Sequence, residues 1–526
     1  MGNLIFLYFL FNLKNSNMNR LILFFTIFFA TFQLSVSQNS LEFYSGLRNS
    51  QNIYGGSARF MGMGGAFTAL GGDISSISLN PAGLGVYSGN QIVFTPSFQL
   101  QNTETNTLTE KDEDSKYRLN FHNIGLISAF RTQGDSRWQN INIGFGYNQM
   151  NDFTNSLKAN YFNTDNSLMH NFLFNYYNYG ESSNYETLAF ETGLMYSYVN
   201  NANDTIGPVT DITDAMNYSD TTSMSEIGVR QVKTIENKGS LGEYFFSFSG
   251  NYAHKLYLGM SVGIQRINYN STDTHKEIDE TNQINEFDDI SEFQSFSFIV
   301  NEERSGTGYN FKLGAIYKPT NFLRIGASYH SPTFFKVENI WYSSLIHQQN
   351  INKTNRAEGS NNKLNYRITT SSKLIGGLAF QFEDVGMISF DYERINYSKI
   401  ELDSDNSMVD FSPENDNYNQ MLGEANNFRA GGELKFDQIY VRAGFSYYDS
   451  PYKKDYEYFQ SATQIYSGGI GYREKSFFID ATFSTSFSDQ EGYIFDSISN
   501  TNGLVPARVK MNQKRNKIMI TAGFRF

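Results

Sequence analysis

Apolar and polar residues alternate with period two along most of the chain from Asn90 onward. In residues 141–148, isoleucine, phenylalanine and tyrosine alternate with asparagine and glycine, and the last nine residues, 518–526, alternate in the same way. Period-two alternation predicts β-strands with one apolar face. A chain end is usually polar and frayed, so an apolar closing strand needs an apolar environment to face. A transmembrane β-barrel provides one, because lipid lies outside the wall and a wet or filled lumen inside.

About fourteen such segments are present, and we predict an all-β, antiparallel transmembrane barrel in which each of them is one strand. Very short connections alternate with long polar ones, of which 151–239 is the longest. In bacterial barrels the short turns are periplasmic and the long loops extracellular, so we expect both ends of the barrel in the periplasm. The predicted strands lie near residues 90–101, 117–131, 138–150, 240–252, 256–270, 307–319, 321–338, 364–382, 384–400, 426–437, 439–449, 463–473, 476–488 and 508–526.

The composition fits this class and excludes several others. Of 526 residues, 47 are Phe and 35 Tyr against 2 Trp, while charged residues make up only 18%. The mean hydropathy of -0.43 is no objection, since only alternate residues of a barrel strand meet lipid. A net charge of -12 disfavours nucleic acid as a partner. With no cysteine, disulfides and thiolate metal sites are excluded, and we expect no cofactor.

The N-terminus predicts export. Met18-Asn19-Arg20 precedes an apolar run over 21–34, and Ser35-Val36-Ser37 follows it, which is the pattern of a cleaved secretory signal. We assign residues 1–37 to the signal, with Met18 as the true start and residues 1–17 as an upstream extension. A membrane-anchoring helix is the alternative, although the apolar run is short for a span of about 20 residues.

Residues 38–89 do not follow the strand pattern. They are rich in Gly, Ala, Ser and Met, with the densest glycines between 55 and 72. A barrel of about fourteen strands encloses a lumen too wide for its own side chains, since about eight strands is the limit for that. We therefore predict that 38–89 is a hatch inside the lumen and that 90–526 forms the barrel.

Several segments resemble the FadL-type outer-membrane transporters of long-chain fatty acids and other hydrophobic compounds. They are 57–66 and 73–84, which contains Asn80-Pro81-Ala82, together with the paired segments 308–332 and 427–451. The resemblance spans both ends and the middle of the chain. It implies a monomeric fourteen-stranded outer-membrane barrel with an N-terminal hatch, through which hydrophobic molecules pass inward by diffusion.

Candidate site residues fall into four groups, and each group has a structural alternative. Apolar side chains of the hatch line a luminal pocket or simply pack against the wall, and the 168–177 run forms an external landing patch or packs within its own loop. The luminal basic residues bind a carboxylate head group or form ion pairs with luminal acids. Asn80-Pro81-Ala82 acts in gating or forms a turn. The residues are Phe60, Met61, Met63, Phe67, Leu70, Ile74, Ile77 and Leu79; Leu168, Phe172 and Phe174; Lys312, Arg324, His330 and Arg442; and Asn80, Pro81 and Ala82.

We expect no enzyme, because the six histidines are scattered and none has a nucleophile motif beside it. The expected partners are outer-membrane lipid, a hydrophobic small molecule and the barrel-assembly machinery, whose C-terminal recognition signal the closing strand resembles. Two alternative functions on the same scaffold are a surface shuttle of a secretion system and a purely structural or adhesive barrel.

Overall fold

The structure is a computed structural model. It describes residues 39–132, 136–179, 184–199, 205–213, 228–280, 284, 293–350, 352–495 and 506–526. The predicted signal over 1–37 lies outside these residues. Barrel and hatch belong to one unit of contacts, residues 42–526. No helix in the described part is long and apolar enough to span a membrane.

Within the described residues, fourteen antiparallel strands close into a barrel, as the alternation predicts. Closure is made by the last strand on the first, from Gln91 opposite Arg525 to Asn106 opposite Lys510. The strand segments are β1 Gln91–Asn106, β2 Lys111–Arg131, β3 Trp138–Asp152, β4 Asn155–Asn163, β5 Tyr196–Val199, β6 Thr205–Val209, β7 Val229–Tyr252, β8 Leu256–Ile278, β9 Ser295–Tyr317, β10 Leu323–His330, β11 Phe334–Asn350, β12 Lys353–Glu358, β13 Asn362–Thr369, β14 Lys373–Phe382, β15 Gly386–Asn396, β16 Glu401–Asp403, β17 Glu424–Phe436, β18 Ile439–Tyr448, β19 Thr463–Arg473, β20 Phe477–Tyr493 and β21 Arg508–Arg525.

Four barrel strands are interrupted: β3 continues as β4, β10 continues as β11, β12 continues as β13 and β14, and β15 continues as β16. The sequence reasoning treated the last three as unbroken, because the alternation resumes on the far side of each break. The first connection also differs from the expected long loop. β1 and β2 stay paired out to Asn106 and Lys111, so a tight turn ends a long hairpin there.

The outer face of the wall is an apolar band with aromatic rims. On the short-turn side Trp138 contacts Tyr252, with ring centroids 5.4 Å apart. On the long-loop side Tyr147 contacts Tyr244, with centroids 5.1 Å apart. Aromatic girdles of this kind mark the two membrane interfaces of a barrel, so the two rims fix the depth at which the protein sits in the bilayer.

The hatch fills the lumen with short helical turns, each begun by a capping side chain. Helix α1 is Asn39–Ser50 and α2 is Ala58–Gly62, followed by 3₁₀ turns over Ile74–Ser78 and Pro81–Val86. Ser57, Asp73 and Asn80 accept backbone N–H groups at the starts of α2 and of the two 3₁₀ turns. Helix α1 lies towards the long loops, where the Tyr418 hydroxyl donates to the Phe43 carbonyl at 2.8 Å.

The long loops form a cap over the lumen. Helices α3 Leu168–Tyr179 and α4 Asn184–Glu191 follow β4, and α5 Ser412–Met421 precedes β17. β7 begins at Val229, so the wall takes up part of the region that the sequence indicated as loop. Helices α3 and α4 share a buried apolar cluster of their own, whereas Tyr418 of α5 belongs to the cluster around the hatch.

Candidate functional site

Buried ion pairs fix the hatch to the barrel wall. Both Nε and Nη2 of Arg59, on α2, donate to the Glu433 carboxylate of β17 at 3.0 Å. Arg442 of β18 donates to Glu433 at 2.5 Å and to Asp480 of β20 at 2.6 Å. Burial acts to lower the pKa of Arg59, but the Glu433 carboxylate raises it by more, so the guanidinium is charged. Three barrel strands and the hatch thus share one charge network.

A second buried pair lies under the 3₁₀ turn at Ile74–Ser78. Lys312 of β9 pairs with Glu243 of β7, and its Nζ also donates to the Ser78 carbonyl at 3.2 Å. Gln265 donates to the same carboxylate at 2.9 Å, and Asn310 does so at 3.3 Å. Because its charge is matched and its oxygens are hydrogen-bonded, this buried group is stable in a lumen filled by protein.

Asn80-Pro81-Ala82 sits against two wall glycines. A Cβ on Gly314 would lie 1.8 Å from Asn80 Oδ1, and one on Gly259 would lie 2.4 Å from the Ala82 nitrogen. Asn80 Nδ2 donates to the Thr68 carbonyl at 2.7 Å and to the Ala315 carbonyl at 3.1 Å. The tripeptide therefore caps a turn and attaches the hatch to β9, which is the structural role weighed for it; its gating role stays a prediction.

The predicted luminal bases all contact the hatch or luminal acids. Arg324 Nη1 donates to the Leu70 carbonyl at 2.7 Å, and His330 Nε2 donates to the Leu79 carbonyl at 2.7 Å. Lys312 and Arg442 are held by the carboxylates described above. The ion-pair alternative accounts for Lys312 and Arg442, whereas Arg324 and His330 bind hatch carbonyls instead of acids. A head-group role for any of the four remains a prediction.

The predicted apolar residues lie in separate regions. Phe60, Met61, Met63, Phe67, Leu70 and Leu79 belong to the buried cluster that joins the hatch to the wall, and Ile74 and Ile77 to a smaller one beside it. Leu168 and Phe172 belong to the cluster of the outer cap, and Phe174 is half-buried on the same helix. The structure therefore does not bring the landing-patch candidates and the hatch candidates into one pocket.

One stretch of the wall lacks backbone pairing. β2 pairs with β3 only between Asn123–Asn148 and Arg131–Asn140. Beyond Asn123, residues Lys111–His122 of β2 pair with β1 alone, while β3 and β4 pair with β7. We call this stretch, between residues 111–122 on one side and 149–163 on the other, the β2–β3 seam. In the described residues, every other pair of neighbouring barrel strands stays hydrogen-bonded up to the long-loop side of the apolar band, either directly or through a second segment that continues one of the strands.

A β-bulge turns β3 inward at the seam. The register between β3 and β7 shifts between Gln149 and Asn151, and a bulge of this kind bends its strand. Side chains from Gln149 to Thr154 are all buried, so the in-and-out alternation is lost there. The hatch meets this edge as well: the Gly55 N–H donates to the Gln149 carbonyl at 2.9 Å.

Side chains bridge the seam in place of the backbone. Asn120 donates to Gln149 at 2.9 Å and to Asp152 at 3.2 Å. Arg118, two residues further along β2, donates to Asp152 at 3.2 Å and to the Gly239 carbonyl at 3.1 Å. Higher up, Lys116 pairs with Glu236 at 3.1 Å. Side-chain contacts reorganise more easily than a strand ladder, so the wall is weakest here.

The outer lip of the seam is apolar and unusually exposed. Leu119 is 80% exposed and Tyr117 73%, against 46% for Val262 on the fully paired β8. The difference follows from the missing neighbour on one side of β2. Apolar side chains therefore border the seam on the outer face of β2.

Sequence reasoning missed the seam residues Arg118, Asn120, Gln149 and Asp152. A signal was present, because residues 148–152 read Asn-Gln-Met-Asn-Asp and so place polar side chains on both faces of a strand. Among the described residues, no group of three or more His, Asp or Glu could hold a metal ion.

Comparisons with known proteins agree with this architecture. A family model described as outer membrane protein transport protein (OMPP1/FadL/TodX) matches residues 238–526. The crystal structure of a Pseudomonas aeruginosa FadL homologue is similar to this chain with a TM-score of 0.54 at 14% identity, covering 91% of this chain and 100% of that one. The P. putida toluene transporter TodX is similar with a TM-score of 0.50 at 14% identity, covering 90% and 99%. No curated protein matches the sequence.

Proposed function

Because the chain belongs to the outer membrane protein transport family (OMPP1/FadL/TodX), whose members transport hydrophobic small molecules, we propose that it passes such molecules sideways through the β2–β3 seam. A molecule enters from the cell surface, reaches the lumen above the hatch, and leaves between Leu119 and the bent end of β3 into the apolar part of the outer membrane. The broken ladder of the seam is the observation that carries this proposal.

The contrast between the two exits from the lumen supports a sideways route. The downward path requires the hatch to move, which would break the pairs of Arg59 with Glu433 and of Lys312 with Glu243 inside a water-excluded lumen. Breaking one buried pair costs about 3–5 kcal/mol. The sideways path requires rearrangement of the side chains that bridge the seam, whose net hydrogen-bond energies are about 1 kcal/mol each. Near Asn123 these are Arg118, Asn120 and Gln149. Farther along β2, Asp114 accepts from Ser156 and Asp112 from Asn160.

We propose that the substrates are apolar small molecules of one of two kinds, long-chain fatty acids or monoaromatic hydrocarbons. Such compounds cross the saccharide surface of the outer membrane poorly, because that layer provides no apolar solvent for them. The family includes a toluene transporter as well as FadL homologues. The apolar lip of Tyr117, Leu119 and Phe121 suits the departure of either kind of molecule into lipid.

Crosslinking the seam tests the route. The natural chain has no cysteine, so N120C/Q149C introduces the only two thiols. A short bis-methanethiosulfonate reagent joins them and a reductant releases them. The matched control is S247C/S261C, whose parent serines lie opposite each other on the fully paired β7 and β8, with hydroxyl oxygens 2.6 Å apart. Uptake of labelled oleate and toluene is measured in intact cells whose own transporters of this family are deleted, because an asymmetric outer membrane is needed as the barrier.

We expect the crosslinked seam to lower uptake of at least one probe about tenfold or more, since every passage then requires a gate that cannot open. Reductant restores uptake, and the control pair has no effect in either state. Unchanged uptake through a crosslinked seam would rule out the lateral route. Uptake no higher than that of cells without the protein, before any crosslinking, would rule out transport of these probes altogether.

A further inference from the structure

A row of basic residues crosses the outer face of the barrel on the long-loop side. Arg266 of β8 lies opposite Thr307 of β9, Thr307 lies opposite Lys336 of β11, and Lys336 lies opposite Arg367 of β13. The three basic side chains therefore lie in one row, perpendicular to the strands, across four adjacent strands. We call Arg266, Thr307, Lys336 and Arg367 the basic row.

The acids near the basic row already have partners. Arg367 pairs with Asp403 and Asp405, and Lys363 pairs with Glu338 at 2.5 Å. Arg266 and Lys336 have no ion pair within the described residues, and both are exposed. They lie two strand spacings apart, or about 10 Å, so their long side chains can converge over Thr307. Arg266 and Lys336 thus have no ion-pair partner of their own in the described part of the chain. Because Arg367 is shared by two carboxylates, the surface around the row keeps one net positive charge, from four cations against three acids.

The basic row lies at the level of the lipid head groups. The next row towards the membrane is Ile264, Tyr309 and Phe334, in register across the same strands, and these side chains are 40%, 57% and 58% exposed. Aromatic side chains at this position mark the edge of the apolar band. The next row away from the membrane is polar, with Asn268, Ser305 and Glu338 in register.

The surface at this level is concave. A cavity of about 930 Å³ is lined by the basic row and by the polar row above it, with Asp405 and Asn406 on one side. Positive charge, amide and hydroxyl donors, and an apolar surface directly below are the three features that a phosphorylated sugar with acyl chains requires. A soluble anion needs only the first of them.

We propose that the basic row binds a phosphate of a phosphorylated glycolipid in the outer leaflet of the outer membrane. Arg266 and Lys336 hold the phosphate between them over Thr307, with Arg guanidinium geometry suited to two phosphate oxygens. Asn268 and Ser305 donate to the sugar, and the acyl chains lie on Ile264, Tyr309 and Phe334. The bound lipid anchors the barrel at a fixed depth, on a part of the wall separate from the β2–β3 seam.

Binding is measured on the full barrel in phosphatidylcholine nanodiscs containing diphosphoryl lipid A, with dephosphorylated lipid A and free inorganic phosphate as separate arms. Native mass spectrometry counts the lipid A retained by each barrel. The test variant is R266A/K336A. The matched control is K255A/K475A, which removes two exposed, unpaired cations from short turns at the opposite rim. Heat-dependent gel migration checks that both variants are folded.

We expect about a 30-fold loss of diphosphoryl lipid A affinity in R266A/K336A and none in K255A/K475A, since each basic residue near a charged membrane surface contributes about a fivefold gain. Removing the phosphates from lipid A lowers wild-type binding to the level of the variant, and salt weakens it. Equal retention by wild type and R266A/K336A would overturn the proposal. Inorganic phosphate that binds at millimolar concentration and displaces no lipid would also overturn it, because the ligand would then be a free anion.

Discussion

The hatch and the β2–β3 seam close the same lumen by opposite means. The hatch is held by buried, fully matched charges, such as Arg59 with Glu433, and by close backbone contact with wall glycines. The seam is held by side chains that bridge strands whose backbones do not pair: Asp152 is buried, but Arg118, which donates to it, is 31% exposed. A buried pair is expensive to break and an exposed one is not. The hatch is therefore the fixed boundary of the lumen, and the wall beside β2 is the boundary that can move.

The largest expected effect is on the hatch side. Replacing Lys312 by Met leaves the Glu243 carboxylate buried without its cation, and we expect the free energy of unfolding in lipid to fall by about 3–5 kcal/mol. Urea titration of the reconstituted barrel measures it. The variant E243L/K312M, which removes both charges, recovers part of that loss because no charge is left buried alone.

This measurement also decides between two roles for Lys312. If it bound a ligand head group, K312M would weaken ligand affinity and leave the unligated barrel as stable as wild type. A stability change below about 1 kcal/mol would therefore contradict the structural role and weaken the contrast between hatch and seam.

The second effect also concerns the hatch, through close packing rather than charge. A Cβ on Gly444 of β18 would lie 2.0 Å from the Gly64 nitrogen, while one on Gly432 of β17 would lie 3.7 Å from its nearest neighbour, the Met387 carbonyl oxygen. We expect G444A to lower the free energy of unfolding by about 1–3 kcal/mol through overpacking, with G432A close to wild type. Thermal scans of heat-dependent gel migration compare the two. If G444A and G432A unfolded at the same midpoint temperature, the hatch backbone could shift away from the wall more easily than its close contacts indicate.

How far the sequence predicts this molecule depends on how local each feature is. The fourteen strands follow from period-two alternation, which is a property of neighbouring residues, and the glycine-rich hatch follows from composition. The pairing of Arg59 with Glu433 joins residues 374 positions apart, so no local pattern reveals it. The seam is intermediate: residues 148–152 lose the alternation, but only the missing β2–β3 pairs show that the backbone ladder is broken there.

The third effect is expected at the seam. Replacing Arg118 by Ala removes bridges to Asp152 and to the Gly239 carbonyl, which stabilise the closed seam by about 1 kcal/mol. A gate destabilised by that amount is open about five times more often, so we expect hydrophobic uptake to rise by up to about fivefold while the hatch stays closed. Uptake assays in intact cells measure this, with exclusion of a large hydrophilic antibiotic as the measure of the hatch. The control is R394A, which breaks an exposed pair with Glu424 at 2.6 Å on fully paired β15 and β17.

The smallest effect is expected midway along the seam, where Lys116 pairs with Glu236 at 3.1 Å and the Glu236 side chain is 50% exposed. Water and salt screen such a pair, so K116A should change uptake less than about twofold, and less still at high ionic strength. Every second residue of β2 faces inward here, so Asn120, Arg118 and Lys116 form a series at increasing distance from the last backbone pair at Asn123. If K116A raised uptake as much as R118A, the energy of each side-chain bridge would not depend on its burial. The seam would then open as one rigid segment hinged at Asn123, and the side-chain contacts would not open one by one.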